Sequence, residues 1–313
     1  MSDTKSWNPW HGCRKYSEGC ANCYMYMLDR LHKVPELSDM IARTKGFYRP
    51  LERNKKGQYK VPAGYMLRVN MTSDTFLEEA DKWRDEMWSI IRSRPDVRFY
   101  LLTKRASRMA VGLPTDWGEG YENVMLNITC ENQRTFDERW PFLRDIPAKH
   151  KGINLSPLIG RVDVEPAVAS GQIEHIDLSG EGFGGSRRCH YEWVKQVSDL
   201  CARYRVNFAF DATGTFFVKD GRTYHIELQS TQSRQAFRSG LSHYFYRPEY
   251  KLYDPVDHHR LGPEELYTPM FNRYRCNECA LAFACTGCQS CGKCQQVELV
   301  ELEQLVSVDR KGL

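Results

Sequence analysis

Three cysteines stand close together near the amino terminus. Cys13, Cys20 and Cys23 lie in the run WNPWHGCRKYSEGCANCY with the spacing C-x6-C-x2-C. In a compartment where disulfides do not persist, clustered thiols point to metal or redox chemistry. Three thiolates leave one metal position without a protein ligand. A structural zinc usually completes four protein ligands, whereas a catalytic zinc takes three and a water. A [4Fe–4S] cluster on three thiolates exposes one iron to a small molecule, and this is the more productive reading of the loop. His11 could supply a fourth ligand to zinc, which keeps a zinc-dependent nucleic-acid-binding module without catalysis as the alternative.

A second group sits at the other end of the chain. Cys276, Cys279, Cys285, Cys288, Cys291 and Cys294 crowd into CNECALAFACTGCQSCGKC and make up half of the 12 cysteines. Successive x2 spacings let thiolates converge on one centre, so metal binding is expected here too. Four of the six could hold an auxiliary [4Fe–4S] cluster. Alternatively Cys276, Cys279, Cys291 and Cys294 form a zinc ribbon of two C-x2-C knuckles. Iron is favoured because six thiols exceed what one zinc needs. Cys130, Cys189 and Cys201 are isolated and read as core or loop thiols.

These residues need a scaffold. With 313 residues, 41% hydrophobic and 27% charged, the chain can bury a substantial core and has no low-complexity tract. The first ten residues lack an apolar signal-like stretch and no run of apolar residues is long enough to span a bilayer, so a cytoplasmic protein away from membranes is expected. The net charge of +4 tolerates a polyanionic partner without demanding one.

From residue 65 to about 217 one theme repeats: a short β-branched or aromatic run, a polar cluster, then a helix-like stretch. Strands are expected at 66–71, 98–102, 124–128, 152–155, 173–178 and 206–210, with an earlier one within 5–11. Polar residues follow them in turn: Thr72, Ser73 and Asp74; Thr103, Lys104 and Arg105; Thr129, Glu131 and Asn132; Ser156; Ser179 and Glu181; Asp211. In a (β/α) barrel the active site is built at these carboxyl ends, so an α/β fold with a complete or partial TIM-type barrel is expected over an open doubly wound sheet. A helix over 77–94 would bury Ala80, Trp83, Met87, Ile90 and Ile91 and leave acids and bases outside. Trp140, Phe142 and Leu143, and Trp193, Val197 and Leu200 in a helix over 192–204, read as packing. Beyond Lys219 the text turns polar and aromatic without clear periodicity. Its stretch 234–260, with Tyr244, Phe245, Tyr246, Arg247, His258 and His259, suits a lid, a nucleic-acid surface or an aromatic-rich edge that closes the barrel.

Several ordered motifs together resemble the phage-associated three-cysteine-motif family of radical-SAM-like proteins. They are WNPWHGC with SEGCANCY, MTSDTF at 71–76, LLTKRASRM at 101–109, NVMLNITCENQ at 123–133, LSPLIG at 155–160 and SGEGFGGSRR at 179–188. The resemblance implies a radical-SAM barrel with a [4Fe–4S] cluster that cleaves S-adenosylmethionine to a 5′-deoxyadenosyl radical, which abstracts hydrogen from substrate. It further implies an electron donor such as flavodoxin or ferredoxin. Its phage association points to a nucleobase in DNA or a nucleotide, with a peptide or small metabolite left open. The loop departs from the commoner C-x3-C-x2-C spacing. Where the family tends to carry a Lys-Gln pair this chain has Asp211 and Ala212, and the glutamate after the serine of LSPLIG is absent, which bears on substrate identity.

Within that resemblance Tyr24 would pack against adenine, and Ser73 and Asp74 would hold the methionine ammonium. Glu131 and Asn132 would take the ribose hydroxyls, while Lys104, Arg187 or Arg188 would pair with the methionine carboxylate. Glu181, at another strand end, joins this cofactor-binding set. The expected organisation is a barrel with its cluster loop over 1–222, a lid or substrate-binding segment over 223–270, and a cysteine-rich metal module over 271–313.

Overall fold

The computed structural model describes residues 5–267. Seven strands form one parallel sheet: β1 Lys5–Trp7, β2 Met66–Val69, β3 Arg98–Thr103, β4 Val124–Thr129, β5 His150–Leu155, β6 His175–Ser179 and β7 Asn207–Ala212. Each strand pairs with the next in chain order, from β1 to β7. A doubly wound sheet reverses its order at a switch point, and none occurs here. Connections that always advance in one direction place their helices on one face and leave the other to curl inward. The result is a half barrel, open between β1 and β7. All seven expected strands are present, each within a few residues of its expected limits.

The two faces differ in chemistry. Leu67, Phe99, Leu101, Leu126, Ile153 and Ile176 belong to a continuous apolar core shared with the helices. Those helices include α1 Tyr24–Leu31, α2 Asp81–Arg92, α3 Gln133–Asp145, α4 Tyr191–Tyr204 and α5 Gln229–Arg238. In α2 the buried stripe takes in Met87, Ile90 and Ile91 as expected, and also Trp88. It takes in Arg84 as well, whose guanidinium donates to the carbonyls of Thr75 and Leu77, so a residue expected on the wet face fastens the turn before the helix. Phe142 corrects the expectation for α3: it is 45% exposed while Trp140 and Leu143 are buried.

The segment after Lys219 has more order than its sequence suggests. Phe216–Lys219 and Arg222–His225 form a hairpin, and α5 follows. His243 then pairs with Phe208 through two backbone hydrogen bonds of 2.8 and 2.9 Å. This covers the outer edge of β7, which would otherwise expose an unpaired ladder. The six carboxy-terminal cysteines lie outside the described residues.

Candidate functional site

The carboxyl ends of the strands surround a cavity of about 740 Å³, and Cys13, Cys20 and Cys23 all line it. The loop that carries them is held at both ends and in the middle. Gly12 turns with φ +87°, and a Cβ there would lie 2.7 Å from the Met40 carbonyl oxygen. Ser73 Oγ donates to the Gly12 carbonyl at 2.5 Å, and Cys13 N donates to the Ser38 carbonyl at 2.9 Å. Arg105 donates to the Arg14 carbonyl at 2.9 Å and places its positive charge near Cys13.

In the middle, Ser17 Oγ donates to Glu131 at 2.7 Å, and Asn132 Nδ2 donates to Glu18 at 3.0 Å. Gly19 presses on Glu131 so closely that a Cβ would stand 2.3 Å from Glu131 Cγ. At the far end Asn22 Nδ2 donates to Glu181 at 3.1 Å and to the Gly185 carbonyl at 2.8 Å. Cys23 is the N-cap residue of α1.

Burial dominates two of the thiols, Cys13 and Cys23. It pushes Cys13 up to about 12, with Asp74 adding to the effect and Arg105 opposing it. It also raises Cys23, against the amides of Met25 and Tyr26 and the charge of Lys104. Thiols in this state become thiolates when a bound metal supplies the missing positive charge. Among the described residues no three His, Cys, Asp or Glu side chains converge on a single ion. His11 Nε2 lies 3.0 Å from Asp29 Oδ2, and His11 is not part of the cavity lining.

The strand-end residues singled out from the sequence gather at this mouth, with partners inside the protein. Asp74 accepts from Thr103 Oγ1 at 2.6 Å, Lys104 N at 2.9 Å and Phe76 N at 2.9 Å. Lys104 and Arg139 pair with the fully buried Glu131, holding its carboxyl at about 2 despite the cost of burial. Asn132 caps α3 by accepting from Thr135 N at 3.0 Å. Arg187 pairs with Glu181 through its side chain, and its backbone amide adds a bond of 2.8 Å. Tyr24 lines the cavity with its hydroxyl donated to the Met71 carbonyl. Glu131, Asn132, Arg187 and Arg188 stand behind the cavity wall, whereas Ser73, Asp74, Lys104 and Glu181 are on it.

On the sheet beside the cavity lie Tyr100, His175 and Asp177, which the sequence reading passed over, next to Asp211, which it named. Tyr100 donates to Asp177 at 2.8 Å, and His175 Nε2 lies 2.6 Å from the same carboxylate. Burial works against the Asp177 anion, yet His175, Arg68 and Tyr100 hold it well below the carboxylate range. Asp211 is the reverse: burial, then Asp177, push its carboxyl up to about 7. Arg68, Asn70, Asn154, Asp211 and Tyr244 line the cavity, and Tyr100, His175 and Asp177 are outside that lining. The signal was alternation. A sheet packed on both faces reads as continuous apolar runs, but Arg68 with Asn70 and His175 with Asp177 recur every second residue. Of the aromatic stretch, Tyr244 faces the cavity, while Tyr250 stacks on His150 at 3.9 Å in the scaffold.

Fold and site together define an α/β protein with a partial parallel barrel and a three-cysteine loop docked at its mouth. Residues 3–264 match a family described as a protein of unknown function, DUF5131, and the chain belongs to that family. No curated protein and no solved structure matches it. No helix among the described residues is long and apolar enough to cross a membrane.

Proposed function

We propose that the protein is a radical S-adenosylmethionine enzyme, with Cys13, Cys20 and Cys23 as the ligands of a [4Fe–4S] cluster. One observation carries the reading: three cysteines from one short loop open into a cavity of about 740 Å³ at the carboxyl ends of a parallel barrel sheet. When bound, such a cluster supplies an electron to the sulfonium of S-adenosylmethionine, releasing methionine and a 5′-deoxyadenosyl radical.

The chain's own residues do the rest. Ser73, Arg105 and Glu131 fix the loop against three different strand ends, which sets where the thiolates point. Arg105 beside Cys13 and Lys104 beside Cys23 place positive charge next to the anionic thiolates. Tyr24, immobilised through its hydroxyl, offers a ring for adenine to pack against. An electron donor such as flavodoxin or ferredoxin and a nucleobase or nucleotide substrate fit this reading. The carboxy-terminal cysteines would hold a second iron–sulfur cluster or zinc.

Anaerobic reconstitution tests this directly. Iron, sulfide and zinc are measured, and 5′-deoxyadenosine is assayed with dithionite, for the native chain and for Cys13→Ala/Cys20→Ala/Cys23→Ala. The native chain should form 5′-deoxyadenosine and the triple variant should not. A protein that holds only zinc and never cleaves S-adenosylmethionine would overturn the proposal.

A further inference from the structure

Opposite charges face the cavity without touching. Arg68 and Asp211 both line it, and among the described residues neither side chain makes a hydrogen bond or a close ion pair. Arg68 lies over the Tyr100 ring, 5.5 Å from its centroid. Asp177, also nearby, is already engaged by Tyr100 and His175. Asp211 is the residue at which the pairing of β7 with β6 shifts register, between Phe210 and Ala212. A bulge of this kind re-aims a side chain, here toward open cavity.

Asn70 and Asn154 belong to the same wall. Both are at least nine-tenths buried, yet neither end of the Asn70 carboxamide finds a partner, nor does Asn154 Oδ1. Unpaired amides of this kind are rare in folded interiors and mark places where something else completes the bonding. Among mixed polar and apolar neighbours, Leu228, Phe237 and Tyr244 add hydrophobic surface to the cavity.

We propose that this wall binds the lactam edge of a planar, uncharged heterocycle of nucleobase type, with Arg68 donating to the ring carbonyl and Asp211 accepting the ring N–H. Arginine is well matched to a ring carbonyl and a carboxylate to a ring or exocyclic N–H. The aromatic and aliphatic surfaces take the faces of the ring. An amino-acid zwitterion is the competing occupant, with its carboxylate on Arg68 and its ammonium on Asp211. Enclosure by the cavity walls and the nearby Asp177 raise the Asp211 carboxyl, to about 7, which suits an N–H partner better than a full cation. The inference rests on the cavity being the substrate site of the proposed enzyme.

The test is calorimetric titration of the full-length chain with guanosine and thymidine, each beside its ring-N-methylated counterpart, and with methionine. No reductant is present, so failure to form 5′-deoxyadenosine and failure to bind are separate results. At least one parent nucleoside should bind at millimolar concentration or better, and methylation should weaken it about tenfold or more. Asp211→Asn and Arg68→Lys should each weaken it while thermal melting shows both variants folded. Should either variant fail to fold, the methylated nucleosides still decide. Equal binding of parent and methylated forms, binding of methionine alone, or no binding of either nucleoside would overturn the proposal.

Discussion

Glu131 offers a sharp test of how the cysteine loop is held. The side chain has no exposed surface, and its carboxylate serves Lys104, Arg139 at 2.9 Å and Ser17 at 2.7 Å. Burial alone would raise its pKa, but the two cations outweigh it and hold the group at about 2 against an ordinary 4.5. A depressed carboxylate contributes stability that is present above the unfolded value and lost as the pH falls through the folded one. At about 1.36 kcal/mol per pH unit, the interval from 4.5 to about 2 corresponds to roughly 3 kcal/mol. Removing one partner from a buried pair costs roughly 3–5 kcal/mol in general, which agrees. Glu131→Gln keeps the shape but strands Lys104 and Arg139. Urea titrations followed by tryptophan fluorescence should therefore show a loss of about 3 kcal/mol at neutral pH that shrinks as the pH falls below the ordinary carboxylate range. A gap that stays constant down to about pH 3, or that never exceeds about 0.5 kcal/mol, would refute the reasoning.

Two further outcomes follow from the same geometry. Gly19→Ala places a carbon 2.3 Å from Glu131 Cγ, so the loop must lift; overpacking of roughly 1–3 kcal/mol is expected. Iron retention after reconstitution should fall more sharply than the melting temperature, and an unchanged iron-to-protein ratio would show that the contact does not set the loop. Asp211 behaves oppositely to Glu131, because its raised carboxyl favours folding when protonated and loses that contribution as the pH rises through about 7. Melting temperatures measured from mildly acidic to mildly alkaline pH should decline for the native chain and flatten for Asp211→Asn. Parallel profiles would argue against a perturbed Asp211.

The barrel was legible because each strand combines a β-prone run with a polar stop, and six such units in order admit few topologies. What the pattern could not convey is which polar groups remain free. Asp74, Glu131 and Glu181 occupy strand ends as an active-site residue would, but charges at a crowded rim also find each other, and spacing along the chain does not reveal pairs such as Glu131 with Arg139. Arg84 escaped notice for a related reason. A periodicity argument assigns charge to water, whereas this guanidinium is buried by saturating itself with backbone carbonyls. The hairpin and α5 after Lys219 were hidden because their burial is shallow and leaves a weak apolar stripe; only Gln232 and Ala236 are buried in α5.

This division of labour bears on how the site should be approached. The rim residues are spent on the loop: Ser73 on Gly12, Arg105 on Arg14, Glu131 on Ser17, and Glu181 on Asn22. Substituting any of them disturbs the placement of the thiols, so lost activity in such a variant would not show contact with substrate or cofactor. The inner wall has the complementary property. Arg68 and Asp211 make no hydrogen bond or close ion pair with the protein among the described residues, so changing either alters what the cavity can hold without loosening the cysteines. Variants of the rim should therefore register in metal content, and variants of the inner wall in the choice of bound molecule. If substitutions at both places produced the same loss of iron, the separation between a metal-holding rim and a ligand-holding wall would fail.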